Sequence, residues 1–282
     1  MQVLDRNPEP TNIDPTSISY FSGDLLNREI IQEALGNVEQ VFHLASTSTP
    51  KTSTEDPISD IHGNVLGTVN LLNEMRRSDV NQIVFVSSGG TVYGVPEQLP
   101  MAESHPTNPI SSYGITKLAI EKYIQMYGYN YGIRYCILRV ANAYGPRQNP
   151  KNPQGAISVM LRQALNNQEF TVWGDGSVTR DFVYVTDLVD AISRSSQACG
   201  NSIYNIGTQT GVSISELLQA CEGLGINVPC RYEPPRSYDV PRVVLDISKA
   251  REALNWKPVV GLSEGLGLTY QYLLAKSQAD EN

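Results

Sequence analysis

The regular alternation of short β-rich runs with helical periods constrains this chain more than any other feature. Apolar β-rich runs predict strands at residues 1–4, 18–21, 41–44, 83–86 and 135–138. Between them, apolar residues recur at helical spacing over residues 27–35, 58–77 and 113–127. Strands and helices that alternate in this way are typical of βαβ units, in which helices cover both faces of a parallel sheet. The sequence therefore predicts an α/β protein with a parallel sheet.

The last third of the chain has a different character. A Gly-, Asn- and Pro-rich segment at residues 143–155 is followed by a predicted helix at 156–166 and by β-rich runs at 170–173 and 182–185. A chain of 282 residues is long enough for one α/β domain with a smaller appendage. We therefore expect a smaller C-terminal region, with the chain crossing back to the first region at least once.

Composition excludes several classes of function. The net charge of −8 argues against general binding of nucleic acid or of an anionic membrane. The longest apolar runs have the length of a strand, and no secretory signal is expected at the N-terminus. Four cysteines without a C-x-x-C pair predict reduced thiols in a cytoplasmic protein, and three widely spaced histidines predict no metal site.

The stretch Tyr113-Gly-Ile-Thr-Lys117 is the first candidate for chemistry. Residues four apart share a helix face, so Lys117 projects beside Tyr113. A free tyrosine has a pKa near ~10, and a neighbouring cation favours its phenolate. The pair predicts a base that takes a proton from a sugar hydroxyl while hydride leaves the same carbon. Taken alone, the spacing is weak, because any helix carries it by chance.

Other motifs stand in a fixed order around this pair. Two apolar strands end in small polar residues, V-F-H-L-A-S at 41–46 and F-V-S-S-G-G-T-V-Y-G at 85–94. Ligands of open α/β sheets bind outside the carboxyl ends of such strands. R-V-A-N-A-Y-G-P at 139–146, W-G-D-G-S-V-T-R-D-F at 173–182 and R-S-Y-D-V-P at 236–241 complete the series.

This ordered series resembles the extended short-chain dehydrogenase/reductase family, in particular its nucleotide-sugar epimerases and dehydratases of the UDP-glucose 4-epimerase type. The resemblance covers almost the whole chain, from Val3 to about Pro258. It implies a Rossmann-type doubly wound parallel sheet and a homodimer formed by the helices at 58–77 and 113–127. It also implies NAD as the cofactor and 4-epimerisation of a UDP- or dTDP-hexose through a transient 4-keto sugar. A 4-keto-sugar reductase and a non-catalytic nucleotide-sugar binder remain the alternatives.

The resemblance also implies roles for single residues. Tyr113 and Lys117 match the catalytic tyrosine and its partner, which also holds the nicotinamide ribose. The other expected cofactor contacts are Asp5, Asp24, Leu25, Leu44, Ala45, Ser46 and Asn64. The expected substrate contacts are Ser88, Asn142, Thr171, Trp173, Arg180, Arg236 and Asp239. We expect an NAD-binding Rossmann domain at residues 1–145, truncated at its N-terminus and continued in part through 177–208, and a region at 146–176 and 209–282 that mainly binds the nucleotide-sugar.

Two features depart from the family pattern. The catalytic serine or threonine position falls on Gly89, so Ser88 or Thr91 must supply the hydroxyl. The dehydratases have an acid and a base at the positions of Gly90 and Thr91, and the decarboxylases have a glutamate at the position of Thr91. Neither residue of this chain is a carboxylic acid, which leaves epimerisation or 4-keto reduction. Asp5 matches the carboxylate that binds the adenosine ribose and favours NAD over NADP, although the neighbouring Arg6 weakens that preference.

The second departure concerns the glycine-rich βα unit, which normally lies about 20 residues before that carboxylate. We expect the sequence to lack this unit, its first strand and helix, through a start assigned too far downstream, an incomplete sequence or a truncated gene product. The loss is expected to leave two interior strands without their shared neighbour and to weaken folding and NAD binding.

Overall fold

The computed structural model describes residues 1–10, 14–148, 155–198, 200–236 and 240–280. Two compact units make up the chain. Unit 1 comprises Met1–Gly94, Thr107–Leu138 and Ser195–Ile203. Unit 2 comprises Val95–Pro106, Arg139–Arg194 and Tyr204–Asn282.

The described residues form twelve strands and ten α-helices. The strands are β1 (Gln2–Asp5), β2 (Ser19–Ser22), β3 (Val41–His43), β4 (Gln82–Ser88), β5 (Arg134–Val140), β6 (Asn142–Tyr144), β7 (Phe170–Trp173), β8 (Thr179–Tyr184), β9 (Ser202–Ile206), β10 (Gly211–Ser213), β11 (Cys230–Glu233) and β12 (Arg242–Val243). The helices are α1 (Arg28–Ala34), α2 (Pro50–Glu55), α3 (Pro57–Asp60), α4 (Gly67–Arg77), α5 (Ser112–Tyr131), α6 (Ala156–Leu165), α7 (Val185–Gln197), α8 (Ile214–Gly223), α9 (Ser248–Leu254) and α10 (Leu262–Asp280). No helix in the described ranges is long and apolar enough to cross a membrane.

Unit 1 carries the two parallel strand pairs that the alternating pattern predicts. β1 pairs with β2 in parallel, and β3 is the edge of a sheet with the order β3-β4-β5-β9, in which β3 and β4 are parallel. The orders β2-β1 and β3-β4-β5-β9 are the two halves of a doubly wound sheet, so the predicted fold class is confirmed. Within the described part of the chain, no strand lies between β1 and β3, and each keeps one edge without a partner strand.

The core of unit 1 forms around β4. Ile83, Val84 and Phe85 are fully buried, and the helices α4 and α5 cover the sheet with residues such as Leu72 and Ile124. Each large apolar side chain that is buried in this way contributes about 1.5–3 kcal/mol. The apolar run at 83–86 was therefore a sound indicator of a strand that is buried on both faces.

The local sequence fixes the start and the position of α5. Ser111 caps the helix through its Oγ, which accepts a hydrogen bond from the Gly114 backbone N–H. A Cβ at Gly114 would lie 2.7 Å from the carbonyl oxygen of Thr91, so only glycine permits this close approach. The helix ends at Gly132, which adopts the left-handed conformation with φ of 72°. The first turn of α5 is thereby held beside the loop that follows β4.

The predicted helical stretch at 58–77 is confirmed, but its geometry is not uniform. The structure divides it into α3, a π-helical segment at Ile61–Leu66, and α4. π-Helical segments widen a helix locally and are frequent at functional sites, and hydrophobic periodicity alone does not reveal them. The helix α2 was not predicted, because its six residues have no apolar stripe. Its start is nevertheless marked by Pro50 and by the capping box of Thr49.

Unit 2 is built around β8, which pairs in parallel with β6 and β12 and antiparallel with β10. β7 and β11 form a separate parallel pair. Asp181, on β8, is fully buried, and its carboxylate accepts hydrogen bonds from the backbone N–H groups of Thr208, Gln209 and Leu245. This carboxylate therefore ties two loops to the central strand of the unit.

Candidate active site

The structure brings Tyr113 and Lys117 together in the first turns of α5, as the spacing predicts. The Lys117 Nζ lies 5.7 Å from the centroid of the Tyr113 ring and 4.9 Å from that of Phe85. It donates a hydrogen bond of 3.0 Å to the carbonyl oxygen of Val86. The Tyr113 backbone N–H donates to Ser53 Oγ at 3.0 Å, which anchors the tyrosine to α2.

The electrostatics of this pair differ from the expectation. Burial, followed by the negative charge of Asp60, raises the pKa of Tyr113 to about 12. Burial lowers the pKa of Lys117 to about 8, an effect that Asp60 and then Glu121 oppose. In the protein by itself, desolvation of the phenolate therefore outweighs the effect of the neighbouring ammonium. Tyr113 can act as a base near neutral pH only when a bound ligand adds positive charge or replaces the lost hydration.

The two candidate hydroxyls of the catalytic turn are placed differently. Ser88 ends β4, is partly exposed, and accepts a backbone hydrogen bond from Val92 N through its carbonyl oxygen. The Thr91 Oγ1 is enclosed and has no hydrogen-bond partner among the described residues. Because a ligand does not reach an enclosed hydroxyl without a rearrangement, Ser88 stays the predicted source of the hydroxyl.

The expected contacts to the adenosine lie at the strand ends of unit 1. Asp5 ends β1 with an exposed carboxylate that accepts a hydrogen bond from Asn7 N at 2.8 Å. Asp24 follows β2 and accepts from Leu26 N at 2.9 Å. The Arg6 Nη1 lies 3.9 Å from Asp24 Oδ2, so its charge faces a carboxylate. This contact reduces the attraction of Arg6 for a 2′-phosphate.

A cavity of about 450 Å³ in unit 1 lies next to these contacts. Its lining includes Arg6, Asp24, Thr47, Ser48 and Asp60. Leu44, Ala45 and Ser46 directly precede the lining segment, and the Leu44 side chain is 57% exposed. An open apolar strand end beside exposed carboxylates fits the ribose and base of a dinucleotide. The described residues of unit 1 include no glycine-rich strand–loop–helix for its pyrophosphate.

Leu25 and Asn64 both make contacts to other parts of the protein. The Leu25 carbonyl oxygen accepts a hydrogen bond from Asn70 Nδ2 at 3.2 Å, and its Cβ lies 3.0 Å from the position that a Cβ on Gly67 would take. The Asn64 Oδ1 accepts a hydrogen bond from Thr47 N at 2.8 Å. Asn64 therefore shapes the segment after β3 through its side-chain amide.

Unit 2 has a larger cavity, of about 520 Å³, which collects the expected nucleotide contacts. The predicted substrate residues that line it are Asn142, Thr171, Trp173, Arg180 and Arg236. The guanidinium carbon of Arg236 lies 3.9 Å from the Trp173 ring centroid, within the range of a cation–π contact. The Arg180 Nη1 donates to the carbonyl oxygen of Val240 at 2.7 Å. Asp239 lies outside the described residues.

Sequence reasoning missed two polar groups near the catalytic pair. Asp60 is buried and accepts four side-chain hydrogen bonds, as described below. His43 is buried at the end of β3, and its Nε2 lies 2.8 Å from Thr68 Oγ1. Burial, and then the charge of Lys117, lowers the pKa of His43 to about 3, so the imidazole is neutral. The only signal in the sequence was the polarity of these residues inside apolar segments.

A comparison with protein families decides the assignment. The model of the NAD dependent epimerase/dehydratase family matches residues 2–207. The chain belongs to this family. A protein of Methanocaldococcus jannaschii, provisionally named as a UDP-glucose 4-epimerase, is 42% identical over 257 residues, which are 90% of this chain and 83% of the relative.

Solved structures of the epimerase/dehydratase family share the fold of this chain. UDP-glucose 4-epimerase from Thermotoga maritima, solved with UDP-glucose, superposes with a TM-score of 0.93 at 33% identity, covering 98% of this chain and 91% of that one. UDP-glucose 4-epimerase from Thermus thermophilus, solved with NAD, has a TM-score of 0.90 at 35% identity, covering 97% and 90%. These similarities confirm the predicted family and the Rossmann-type fold.

Proposed function

We propose that this protein is an NAD-dependent nucleotide-sugar epimerase that inverts C4 of a UDP-hexose. The observation that carries the proposal is the pair of a partly buried Tyr113 and a buried Lys117 at the start of α5, in a chain of the epimerase/dehydratase family. The related structures with UDP-glucose and with NAD support both ligands.

In the proposed mechanism, Tyr113 Oη removes the proton of the C4 hydroxyl of the sugar. A bound NAD would supply the acceptor and donor of hydride for C4. The Lys117 ammonium favours the phenolate of Tyr113 and holds the nicotinamide ribose, and Ser88 Oγ bonds the C4 oxygen. Once the 4-keto sugar has rotated within the site, Tyr113 Oη would return the proton to the C4 oxygen, which completes the inversion.

The nucleotide part of the substrate is assigned to side chains of unit 2. Arg180 and Arg236 pair with the diphosphate, because a planar guanidinium matches phosphate oxygens with two parallel hydrogen bonds. Asn142 reaches the same group, Thr171 and Trp173 border the base, and Asp239 holds the nucleotide ribose. On the cofactor side, Asp5 binds the adenosine ribose and disfavours the 2′-phosphate of NADP.

The direct test follows the conversion of UDP-galactose to UDP-glucose by the purified protein with added NAD, by NMR of the anomeric protons. We expect both sugars to reach the same equilibrium from either side without net consumption of NAD. Stoichiometric consumption of NADPH with a 4-keto sugar would instead support the reductase. Binding of UDP that survives Tyr113→Phe, with no nicotinamide bound at any stage, would support a non-catalytic binder.

Arg236→Ala is expected to weaken UDP binding by about 10- to 100-fold, since hydrogen bonds to charged groups contribute about 1.5–3 kcal/mol. Isothermal titration with UDP measures the effect, and NAD affinity should stay unchanged. Arg231→Ala is the matched control, because Arg231 lies on β11 and pairs with Glu233 at 3.1 Å. Equal UDP affinity of the two variants would contradict the diphosphate role of Arg236.

We also propose a homodimer through α4, α5 and the preceding π-helical segment. Ile61 and Leu66 on this segment and Ile115 and Met126 on α5 are exposed apolar side chains. Ile115 and Met126 are eleven residues apart and therefore share one helix face. We expect a dimer by light scattering at micromolar concentration and a monomer for I115E/M126E. A wild-type monomer would contradict this assembly.

A further inference from the structure

A buried carboxylate that the mechanism above does not use lies behind the catalytic pair. Asp60, the last residue of α3, is only 1% exposed. Its Oδ2 accepts hydrogen bonds from Ser112 Oγ at 2.9 Å and from Thr116 Oγ1 at 3.1 Å. These two residues immediately precede Tyr113 and Lys117. One oxygen atom therefore holds the neighbours of both catalytic residues.

The other carboxylate oxygen of Asp60 binds the segment after β3 and the π-helical segment. The Asp60 Oδ1 accepts hydrogen bonds from Ser48 Oγ at 2.5 Å and from Asn64 Nδ2 at 2.7 Å. Asn64 in turn holds Thr47 through its Oδ1. The segment after β3, which we assign to the cofactor, is thus tied to the same carboxylate as the first turn of α5. The side chain of Asp60 fixes the distance between these two parts of unit 1.

All four hydrogen-bond donors to Asp60 are neutral, so its negative charge acts on the groups around it. After burial, this charge is the second cause of the raised pKa of Tyr113, and it opposes the lowering of the pKa of Lys117. Two further titratable groups face Lys117. Glu121, on α5, also favours the charged form of Lys117, whereas His43, on β3, is neutral.

We propose that Asp60 is a positioning residue that aligns the first turn of α5, which carries Tyr113 and Lys117, with the cofactor segment. This role rests on the proposed function, because it concerns the same catalytic pair. The alignment and the accompanying effect of the Asp60 charge on Lys117, called the charge role below, are separable by mutation.

Asp60→Asn removes the charge and nearly keeps the shape. We expect kcat to fall about 10- to 100-fold, because small misplacements of a catalytic group have effects of this size. The KM for the UDP-hexose should change less than about threefold. The alkaline limb of the pH profile of kcat should move down by about one pH unit, since the lost carboxylate no longer stabilises the ammonium.

The double variant S112A/T116V removes the two α5 hydrogen bonds and leaves the charge. We expect a lower kcat with an unchanged alkaline limb. Glu55→Gln is the matched control, because Glu55 is an exposed carboxylate on the neighbouring helix α2, and it should behave as the wild type. If folded Asp60→Asn matched Glu55→Gln in both kcat and the alkaline limb, the proposal would be wrong.

Two further measurements test the role of Asp60 if a variant does not fold or if the protein has no epimerase activity. If Asp60→Asn does not fold, S112A/T116V decides, and a kcat within about twofold of the wild type would refute the alignment. The titration of the Lys117 side chain by NMR needs no activity and is assigned with Lys117→Met. Its midpoint of about 8 should fall in Asp60→Asn. An unchanged midpoint would refute the charge role, even if the wild type lacked epimerase activity and the proposed function itself failed.

Discussion

Replacing Tyr113 by phenylalanine is expected to lower kcat for UDP-hexose epimerisation by a factor of about 10² to 10⁴, the usual contribution of a general acid–base group. The change removes only the phenolic oxygen, and the ring stays against Lys117. The backbone hydrogen bond to Ser53 Oγ does not depend on the hydroxyl. We therefore expect the variant to fold and to bind UDP and NAD about as well as the wild type.

Steady-state kinetics with UDP-galactose and isothermal titrations with UDP and NAD measure these effects of Tyr113→Phe. Tyr129→Phe is the matched control on the same helix, because Tyr129 is 92% exposed. It should leave kcat unchanged. If Tyr113→Phe kept more than about a tenth of wild-type activity, another group would have to carry the proton.

Replacing Lys117 by methionine is expected to lower kcat about 10²-fold and NAD affinity about tenfold, since one buried cation is assigned to both the phenolate and the nicotinamide ribose. The methionine fills a similar volume but cannot donate to the carbonyl oxygen of Val86. Kinetics and NAD titration measure the change. Lys51→Met, at an 85% exposed position of α2, is the control and should behave as the wild type.

The pH dependence gives a second measurement of Lys117. Burial lowers its pKa from 10.5 to about 8, so the ammonium is lost as pH rises through about 8. We expect wild-type kcat to decline above that pH. The effect of pH on stability has the opposite direction, because Lys117 in the unfolded chain keeps its proton up to its ordinary pKa of 10.5. Between these two values the contribution of Lys117 to the free energy of unfolding should rise with pH, and Lys117→Met should abolish that rise.

Local sequence determined the elements and the pairing of the proposed catalytic residues. The helical repeat is a local property, so the four-residue spacing of Tyr113 and Lys117 sufficed to place them side by side. The five strands predicted for the first region are all present, because their runs are apolar enough to be buried on a sheet. The order of motifs along the chain was sufficient for the family, which the comparisons confirm.

Tertiary structure alone decided the environment of the catalytic pair. Asp60 is 52 residues away from Ser112 in the sequence, and no local pattern predicts a hydrogen bond between them. The direction of the Tyr113 pKa also depends on burial by distant segments, which in the protein by itself outweighs the effect of the neighbouring lysine. Periodicity and spacing are set by contacts within a few residues, whereas desolvation and buried hydrogen bonds depend on which distant segments pack together. The sequence alone thus predicted which groups react, and only the folded chain showed what sets their charge.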